Sequence, residues 1–388
     1  MKVAMIGHKR IPSREGGVEI VVEELSVRMK NHGIQVDIYN RRGHNVAGSK
    51  YDNNKLKRYK GCRIITIPTF ENKKLNAILY SFLATIRAIF GRYDVIHFHS
   101  EGPCSMIWIP HLFGIKTVAT IHGLDWQRSK WSGFATKYLK FGEKIAAKYA
   151  DELIVLSKNI QRYFKEQYNR NTVFIPNGVS KPEIRQAQVI TKKYGVKKDD
   201  YILFLARLVP EKGLDYLLEV YQKLDTDKKL IIAGGSSHTN DYIKAIKKKI
   251  NKINISIGKN KYVIMTGFVQ GKELEELYSN AYVYVLPSNV EGMPISLLEA
   301  MSYGNCCLVS DISENTEVIG TYGEKFSKGD VNDLYKKLYE LIQGRDKVES
   351  YRKSVQDYVI SKYNWDKVVN RIEKLYLNDQ NAIFNISE

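Results

Sequence analysis

The sequence predicts an α/β protein made of two doubly wound, parallel-sheet domains. Short apolar runs rich in Val and Ile alternate with longer amphipathic stretches, the pattern of a parallel sheet covered by helices on both faces. The alternation comes in two series separated by a polar stretch, which implies two such domains facing each other. With 388 residues, 44% of them hydrophobic and 26% charged, the chain has enough apolar material for two separate cores.

The first series opens with KVAMIG (Lys2 to Gly7), followed by a helical pattern from Val18 to Asn31. Further strands are predicted at QVDIYN, CRIITIP, DVIHFH, KTVATIH, ELIVLS and TVFIPN, and the series ends near Pro176 to Ser180. Residues 1–180 therefore form the first predicted domain. Within it, NAILYSFLATIRAIF (Asn76 to Phe90) is the most apolar helix candidate. It carries Arg87 and is too short to span a bilayer, so it is predicted to be buried against the sheet. After a polar linker reaching Lys198, the second series runs through YILFLAR (Tyr201 to Arg207), KLIIAGG, YVIMTGF, YVYVLPS and NCCLVS. This gives a second domain over residues 198–360. One last helical pattern extends from Ser350 to Leu377, and its end can pack back on either domain.

Sixty Lys and Arg against 42 acids give a net charge of +18, which favours an anionic partner. A phosphorylated ligand, a nucleic acid or an anionic membrane face would serve; no recognised RNA-binding motif accompanies the charge, so nucleic acid is disfavoured. The basic run Lys244 to Lys252 reads as a solvated helix face. The start, MKVAMIGHKR, has too short an apolar core for a signal peptide. Cys62, Cys104, Cys306 and Cys307 show no C-x-x-C spacing, which suits reduced, packed thiols better than disulfides or zinc. A cytoplasmic protein is expected.

In open α/β sheets, ligands bind at the carboxyl ends of strands, so the loops there carry the functional reading. After the first strand, HKRIPSREGG places Gly16 and Gly17 just before a helix, where backbone can approach a phosphate or simply turn. The G-x-G-x-x-G dinucleotide fingerprint is absent. ARLVPEKGLD follows the first strand of the second series, with Arg207 and Lys212 five residues apart. Two cations there suit a diphosphate, though surface cations fit the same spacing. After YVYVLPS comes EGMPISLLEA, with Glu291 before a helix, Pro294 at its first position, and Glu299 within it. A carboxylate suits a vicinal diol, and the N–H groups of Met293 to Ile295 suit a phosphate or a sugar hydroxyl; acids at a helix start also complement its dipole.

The order of these three signals resembles the retaining nucleotide-sugar glycosyltransferases of family 4, over essentially the whole chain. The E-x7-E segment at Glu291 and Glu299 is the most specific element. The resemblance implies the GT-B fold, two Rossmann-like domains facing across a cleft, with residues 361–388 as a crossover helix and tail returning to the first domain. It implies that Arg207 and Lys212 hold the donor diphosphate and that Glu299 takes the ribose. Glu291, Gly292, Met293, Pro294 and Ile295 would meet the sugar and its phosphate, and Gly16 and Gly17 the diphosphate. Glu291 and His122 would be the catalytic candidates, Glu291 as either a nucleophile or a positioning acid. Gly267 and Val269 would meet the base, for which UDP is expected, and His122 would reach the donor sugar. IHGLDWQRSKW (Ile121 to Trp131) is similar to bacterial enzymes that build capsular, exopolysaccharide or cell-wall polysaccharides. A dTDP-rhamnose-dependent rhamnosyltransferase, a nucleotide-sugar epimerase and an inactive sugar-nucleotide scaffold are the alternatives.

Fixed cations and helix N-termini can stabilise a departing diphosphate without a metal, and no metal or other cofactor is expected. Asp225-Thr226-Asp227, the one Asp-x-Asp match, sits in a charged turn and reads as surface. On the acceptor side, His97 and His99 share a face if their strand stays regular. His99 lies nearer the strand end and is the candidate for the acceptor; His97 reads as packed. Asp125 suits either the acceptor or an N-cap. From Trp126 to Lys148 there are six cations and one acid among aromatics. This fits an amphipathic helix on the sheet and equally a basic helix resting on an anionic membrane, where a lipid-diphosphate-linked saccharide would be met.

Overall fold

A computed structural model describes residues 1–45, 48, 52, 55–69, 76–128, 133–235, 239–256 and 262–378. The chain divides into one unit of Met1–Gly178 with Trp365–Glu388, and a second of Val179–Asn364.

In the first unit, eight strands are β1 (Lys2–Ile6), β2 (Gln35–Arg41), β3 (Arg58–Tyr59), β4 (Cys62–Ile67), β5 (Val95–His99), β6 (Lys116–Ile121), β7 (Glu152–Val155) and β8 (Val173–Phe174). Their order is β3-β4-β2-β1-β5-β6-β7-β8, parallel except for the β3–β4 pair. Helices are α1 (Gly17–Asn31), α2 (Asn76–Ile89), α3 (Glu101–Cys104), α4 (Trp108–Leu112), α5 (Phe134–Tyr149) and α6 (Lys158–Tyr168). Crossovers are right-handed, so connections that step the same way across a sheet lie on one face. That places α2 through α6 together, over a core of Ile6, Ile96, Phe98, Ala119 and Val155. The β1-to-β2 connection steps the other way and sends α1 to the opposite face.

Helix α2 packs against the sheet as expected, by one side: Tyr80, Ser81, Ala84, Thr85 and Ala88 are buried, while Phe82 and, just past its end, Phe90 are exposed. Ala84 and Ala88 on the inner side let the helix lie close, Tyr80 reaches in to bond the Tyr39 carbonyl, and the Phe side chains are left outside.

The second unit is a six-stranded, all-parallel sheet of order β11-β10-β9-β12-β13-β14. Its strands are β9 (Tyr201–Leu205), β10 (Lys229–Ala233), β11 (Val263–Gly267), β12 (Val283–Leu286), β13 (Cys307–Ser310) and β14 (Glu324–Phe326). Helices α7 (Val189–Tyr194), α8 (Leu214–Lys223), α9 (Asn240–Ser256), α10 (Lys272–Ser279), α11 (Ile295–Ser302), α12 (Ser313–Ile319), α13 (Val331–Gln343) and α14 (Arg345–Lys362) complete it. Strand β14 has three residues, two of them charged, and carries no apolar pattern to announce it. Lys244, Lys247, Lys248 and Lys252 of α9 are exposed, as a solvated face requires. All four cysteines are buried and unpaired.

The terminal helical pattern is two helices rather than one. Helix α14 stops at Lys362, and α15 (Trp365–Tyr376) belongs to the first unit. The break follows from backbone competition: the Tyr363 carbonyl accepts from the Val179 N–H at 2.6 Å, and Asn364 bridges to Val179. Helix α15 packs on α1. Arg28 bonds Asp366 at 2.6 Å, and Arg371 donates to the Phe174 carbonyl at 2.7 Å. Its C-terminal carbonyls, on Leu375 and Tyr376, accept from the Lys116 ammonium.

Trp365 anchors this helix against Gly178, where an added Cβ would lie 2.5 Å from the indole and 2.8 Å from the Trp365 Cα. Gly178→Ala is expected to destabilise the first unit by about 1–3 kcal/mol, the cost of an overpacked contact. Thermal unfolding of that variant against the parent checks this; an unchanged midpoint would show that α15 shifts without cost.

Candidate functional site

Strand order reverses direction between β9 and β12 in the second unit. Chain connections run outward from β9 on one side and from β12 on the other, so the loops after these two strands meet without a helix between them. Arg207 and Lys212 are on the first loop and Ser288 and Glu291 on the second. The backbones pack closely: Gly213, at φ +67°, leaves only 1.9 Å between an added Cβ and the Pro287 carbonyl. The Asn289 N–H donates to the Glu211 carbonyl at 2.8 Å. Lys212 is nearly buried and forms an ion pair with Glu291, whose Oε1 also accepts from the Ser288 hydroxyl at 2.7 Å. Sequence reading placed these two residues on separate parts of a ligand, and the structure brings them together.

The helix after this loop begins at Ile295, with Pro294 as its N-cap rather than its first residue, because Pro294 is extended at ψ 103°. Glu299, half-buried, accepts from the Tyr278 hydroxyl at 3.2 Å. Tyr284 is buried in β12 and donates to the Leu205 carbonyl at 3.1 Å while bonding the Ser296 hydroxyl, tying the end of β9 to α11. Glycines let the next strand ends close in: the Gly234 N–H donates to the Gly267 carbonyl at 2.9 Å. Gly267, at φ +74°, has open space where a side chain would stand, and Val269 is buried. Gly292 and Met293 are buried beside Glu291. Asp225 and Asp227 are exposed, as a surface turn predicts.

In the first unit the direction changes between β1 and β5, and the loop after β1 is held rigidly there. Asn40 accepts from the Ile11 N–H and donates to the Ile11 carbonyl, at 3.0 and 2.9 Å. Arg10 pairs with the buried Glu15 at 3.4 Å. The loop ends at Gly16, the N-cap of α1, and at Gly17, which is exposed. Glu19 in the first turn accepts from the Lys9 N–H at 3.0 Å. Burial would raise the Glu19 carboxyl, but Lys9 and its hydrogen bond hold it below its ordinary range.

Four histidines gather at the strand ends beside this loop. His97 and His99 do share a face, with rings stacked at 4.2 Å. His97 is packed, bonding the Tyr376 hydroxyl at 2.6 Å and the Thr120 hydroxyl at 2.7 Å. His99 is fully buried, and its Nδ1 lies 3.0 Å from Nε2 of His122. His8 bonds Asn40 Oδ1 at 3.0 Å; since that oxygen accepts, His8 Nε2 carries the proton and Nδ1 is a bare acceptor. His8 Nδ1 and His99 Nε2 are both buried without a protein partner. Burial pushes His8 and His122 down to about 4 and His97 to about 3, and holds His99 well below its ordinary value. The cluster is therefore neutral at pH 7. In a chain of +18 it offers hydrogen bonds, not charge.

Sequence reading missed the acid pair behind His122. Gly142 of α5 packs so closely on α3 that an added Cβ would lie 2.0 Å from the Glu101 carbonyl. This sets Glu143 beside Glu101, both buried. Glu143 accepts from Trp126 Nε1, Tyr163 and Tyr168 at 2.9, 2.8 and 2.5 Å. Burial, then the charges of Asp125 and Glu143, push the Glu101 carboxyl far up, so it is a neutral acid able to donate to Glu143. Asp125 does not cap the short helix it begins; it pairs with Arg128 at 3.0 Å. The network so holds the Asp125–Arg128 loop beside His122. A buried acid within a serine–glycine–proline run has no distinguishing sequence signal. Trp131, part of the basic aromatic stretch, lies outside the described residues.

Two family models match the chain: Glycosyltransferase Family 4 over residues 15–181, and Glycosyl transferases group 1 over residues 186–358. An uncharacterized glycosyltransferase of Methanocaldococcus jannaschii is 25% identical over 370 residues, covering 93% of this chain and 94% of its own. The UDP-Gal:alpha-D-GlcNAc-diphosphoundecaprenol alpha-1,3-galactosyltransferase of Escherichia coli is 27% identical over 306 residues, covering 74% and 76%. Among solved structures, sucrose-phosphate synthase of Thermosynechococcus elongatus superposes with a TM-score of 0.82 at 20% identity, over 97% of this chain and 98% of that one.

The neutral histidines set a pH dependence. Each takes up a proton when the chain unfolds below its unfolded value of 6.5, so the stability it contributes is complete above that pH and is lost as pH falls toward the folded values. Glu101, neutral when folded, works in the opposite sense above its ordinary value of 4.5 and offsets one of the four. Unfolding near pH 5 should thus take up about three protons, a slope of up to roughly 4 kcal/mol per pH unit. Urea midpoints at pH 7.5, 6 and 5 check this; a flat profile would sink the neutral-cluster reading.

Proposed function

Since the chain belongs to the family 4 and group 1 glycosyltransferases and has the GT-B fold, we propose that it moves a sugar, with retention, from a UDP-sugar to a lipid-diphosphate-linked saccharide in surface-polysaccharide synthesis. The observation that carries this is the meeting of the Arg207–Lys212 and Ser288–Glu299 loops at the β9/β12 switch point. UDP and a lipid-borne acceptor follow the E. coli relative, whose name carries both. The protein then works in the cytoplasm at the inner face of the membrane that holds this acceptor.

The bond that breaks joins the anomeric carbon to a phosphate oxygen, and negative charge grows on the departing diphosphate. Arg207 offers a planar fork to it and Lys212 a point charge, preset by Glu291 rather than free to wander. Glu299 takes the ribose hydroxyls, Gly267 and Val269 the base, and Gly292 to Ile295 the sugar with its phosphate. Gly16 and Gly17 present the N-terminal N–H groups of α1 to an anion. His122, neutral, donates to or accepts from a sugar hydroxyl. His99, fully buried, fixes the ring of His122 and acts on the acceptor side through it, with Asp125 beside that ring's loop. Glu291, already held by Lys212 and Ser288, is a positioning acid. The acceptor hydroxyl then loses its proton to the leaving phosphate oxygen as it attacks on the same face. No metal takes part.

A panel of UDP-, dTDP- and GDP-sugars, scored for nucleotide release in EDTA with and without membrane lipid extract, tests this. Release is expected with a UDP-sugar and extract together. Release without extract would point to an epimerase or to hydrolysis, and none at all, with nucleotide still bound, to a scaffold. Arg207→Ala and Lys212→Ala should each lower kcat by roughly 10²–10³. Glu299→Gln should mainly raise KM for the donor; an equal fall in kcat with KM unchanged would refute a ribose contact.

A further inference from the structure

Among the described residues of the first unit, the exposed large apolar side chains lie on α2, α4 and α5 or the residue just after each, the terminal Met1 and Leu377 aside. These helices share one face of the sheet, and α4 packs against both others. Phe90, at the end of α2, is 82% exposed; Leu112 and Phe113, at the end of α4, are 70% and 66% exposed. On α5, Phe134 (67%) and Phe141 stand out with Lys137, Lys144 and Lys148 at spacings of three and four, one outward stripe. Leu139, Gly142 and Ala146 point inward on the same helix.

Exposed charge on α2, α4 and α5 has one sign. Arg87, Lys137, Lys140, Lys144 and Lys148 are exposed, and the one acid on the three helices, Glu143, is buried under three donors. Large apolar groups projecting among cations, with the nearest exposed acid, Asp151, lying beyond α5 and paired with His111 at 3.8 Å, match the boundary between headgroups and acyl chains of an anionic bilayer. Trp108, one turn before Leu112, adds a side chain suited to that boundary. A second copy of the chain fits poorly, since a two-fold contact here would set cations on cations.

We infer that the outer surface of α2, α4 and α5 is a docking face for an anionic membrane, into which Phe90, Leu112, Phe113, Phe134 and Phe141 insert while the lysines engage headgroups. This deepens the reading of a lipid-borne acceptor and rests on it. It reaches beyond the basic stretch in α5, because α2 and α4 supply the most exposed apolar groups.

The test is flotation of the full chain with vesicles of phosphatidylcholine alone, or mixed about equally with phosphatidylglycerol. Binding to the mixed vesicles is expected, with release by high salt and little affinity for phosphatidylcholine. A Phe90→Ser, Leu112→Ser, Phe113→Ser variant and a Lys137→Glu, Lys144→Glu variant should each bind at least roughly tenfold more weakly. All these positions are exposed, so circular dichroism and UDP-sugar binding should match the parent. Unchanged vesicle binding in both variants would overturn the proposal. So would a dimer that the serine variant dissociates while vesicle binding persists. Vesicle binding through this face in a protein that turns over no nucleotide-sugar would instead refute the transferase reading and leave the surface standing.

Discussion

Lys212 and Glu291 are 79 residues apart, and they meet only because the second sheet changes direction between β9 and β12. Where all crossovers step the same way, a helix covers every gap between strand ends. At the switch point no helix does, and two loops face each other over bare strand ends. The ion pair closes that gap. A nearly buried lysine would be costly without a carboxylate, and the acid in turn is held by Ser288. Removing either partner strands the other in low dielectric. The same pairing fixes the ammonium where a diphosphate would meet it, so fold and site rest on one contact.

The first unit repeats the topology and solves the electrostatics differently. Its switch point, between β1 and β5, is lined by imidazoles that burial keeps neutral. A fixed cation suits a departing phosphate, whereas neutral imidazoles suit hydroxyl groups, to which they both donate and accept. Order is imposed from several sides: Asn40 orients His8, Thr120 and Tyr376 hold His97, and Glu143 holds the loop after His122 through Trp126. Tyr376 comes from α15, the last helix described, so the final turn of that helix reaches a ring stacked on His99. Ser100, at φ +72°, carries backbone strain between His99 and Glu101, a cost of order 1 kcal/mol that this packing has to overcome.

Much of this was legible because strand ends announce themselves. Apolar runs of four to eight residues mark the strands, and the residues after them fall at one sheet edge by topology alone. Arg207, Lys212, Glu291 and His99 were singled out that way, and His122 through the family resemblance. Partnerships were not legible, since pairing depends on which strands are neighbours and a linear pattern does not give sheet order. Hence Lys212 and Glu291 were read apart, and Glu101 and Glu143 were not read at all. The terminal helix was read as continuous because Tyr363-Asn364 suits helical spacing; a backbone bond from Val179 ends it there. Helix α2 was read as packed on the sheet, and it is, but composition alone did not say by which side. Its Ala and Ser positions, not its Phe positions, make the contact with the sheet.

That last point bears on the charge of the whole chain. A net +18 says nothing about where the cations stand, and in this fold they are divided by function. A few are drawn inward and paired, as Lys212 is with Glu291 and Arg10 with Glu15. Those on α9 are solvated. Those on α5 alternate with exposed Phe134 and Phe141, next to helices that expose Phe82, Trp108 and Leu112 beside Arg87 and His111 and carry no acid of their own. A soluble face built for solvation alone would mix signs and hide its aromatics. Keeping bulky apolar groups outside costs solubility, and it is sustained only where burial against something else recovers the loss. The membrane docking proposed above would supply that surface and would join the direction of α2's side chains to the chemistry at the strand ends.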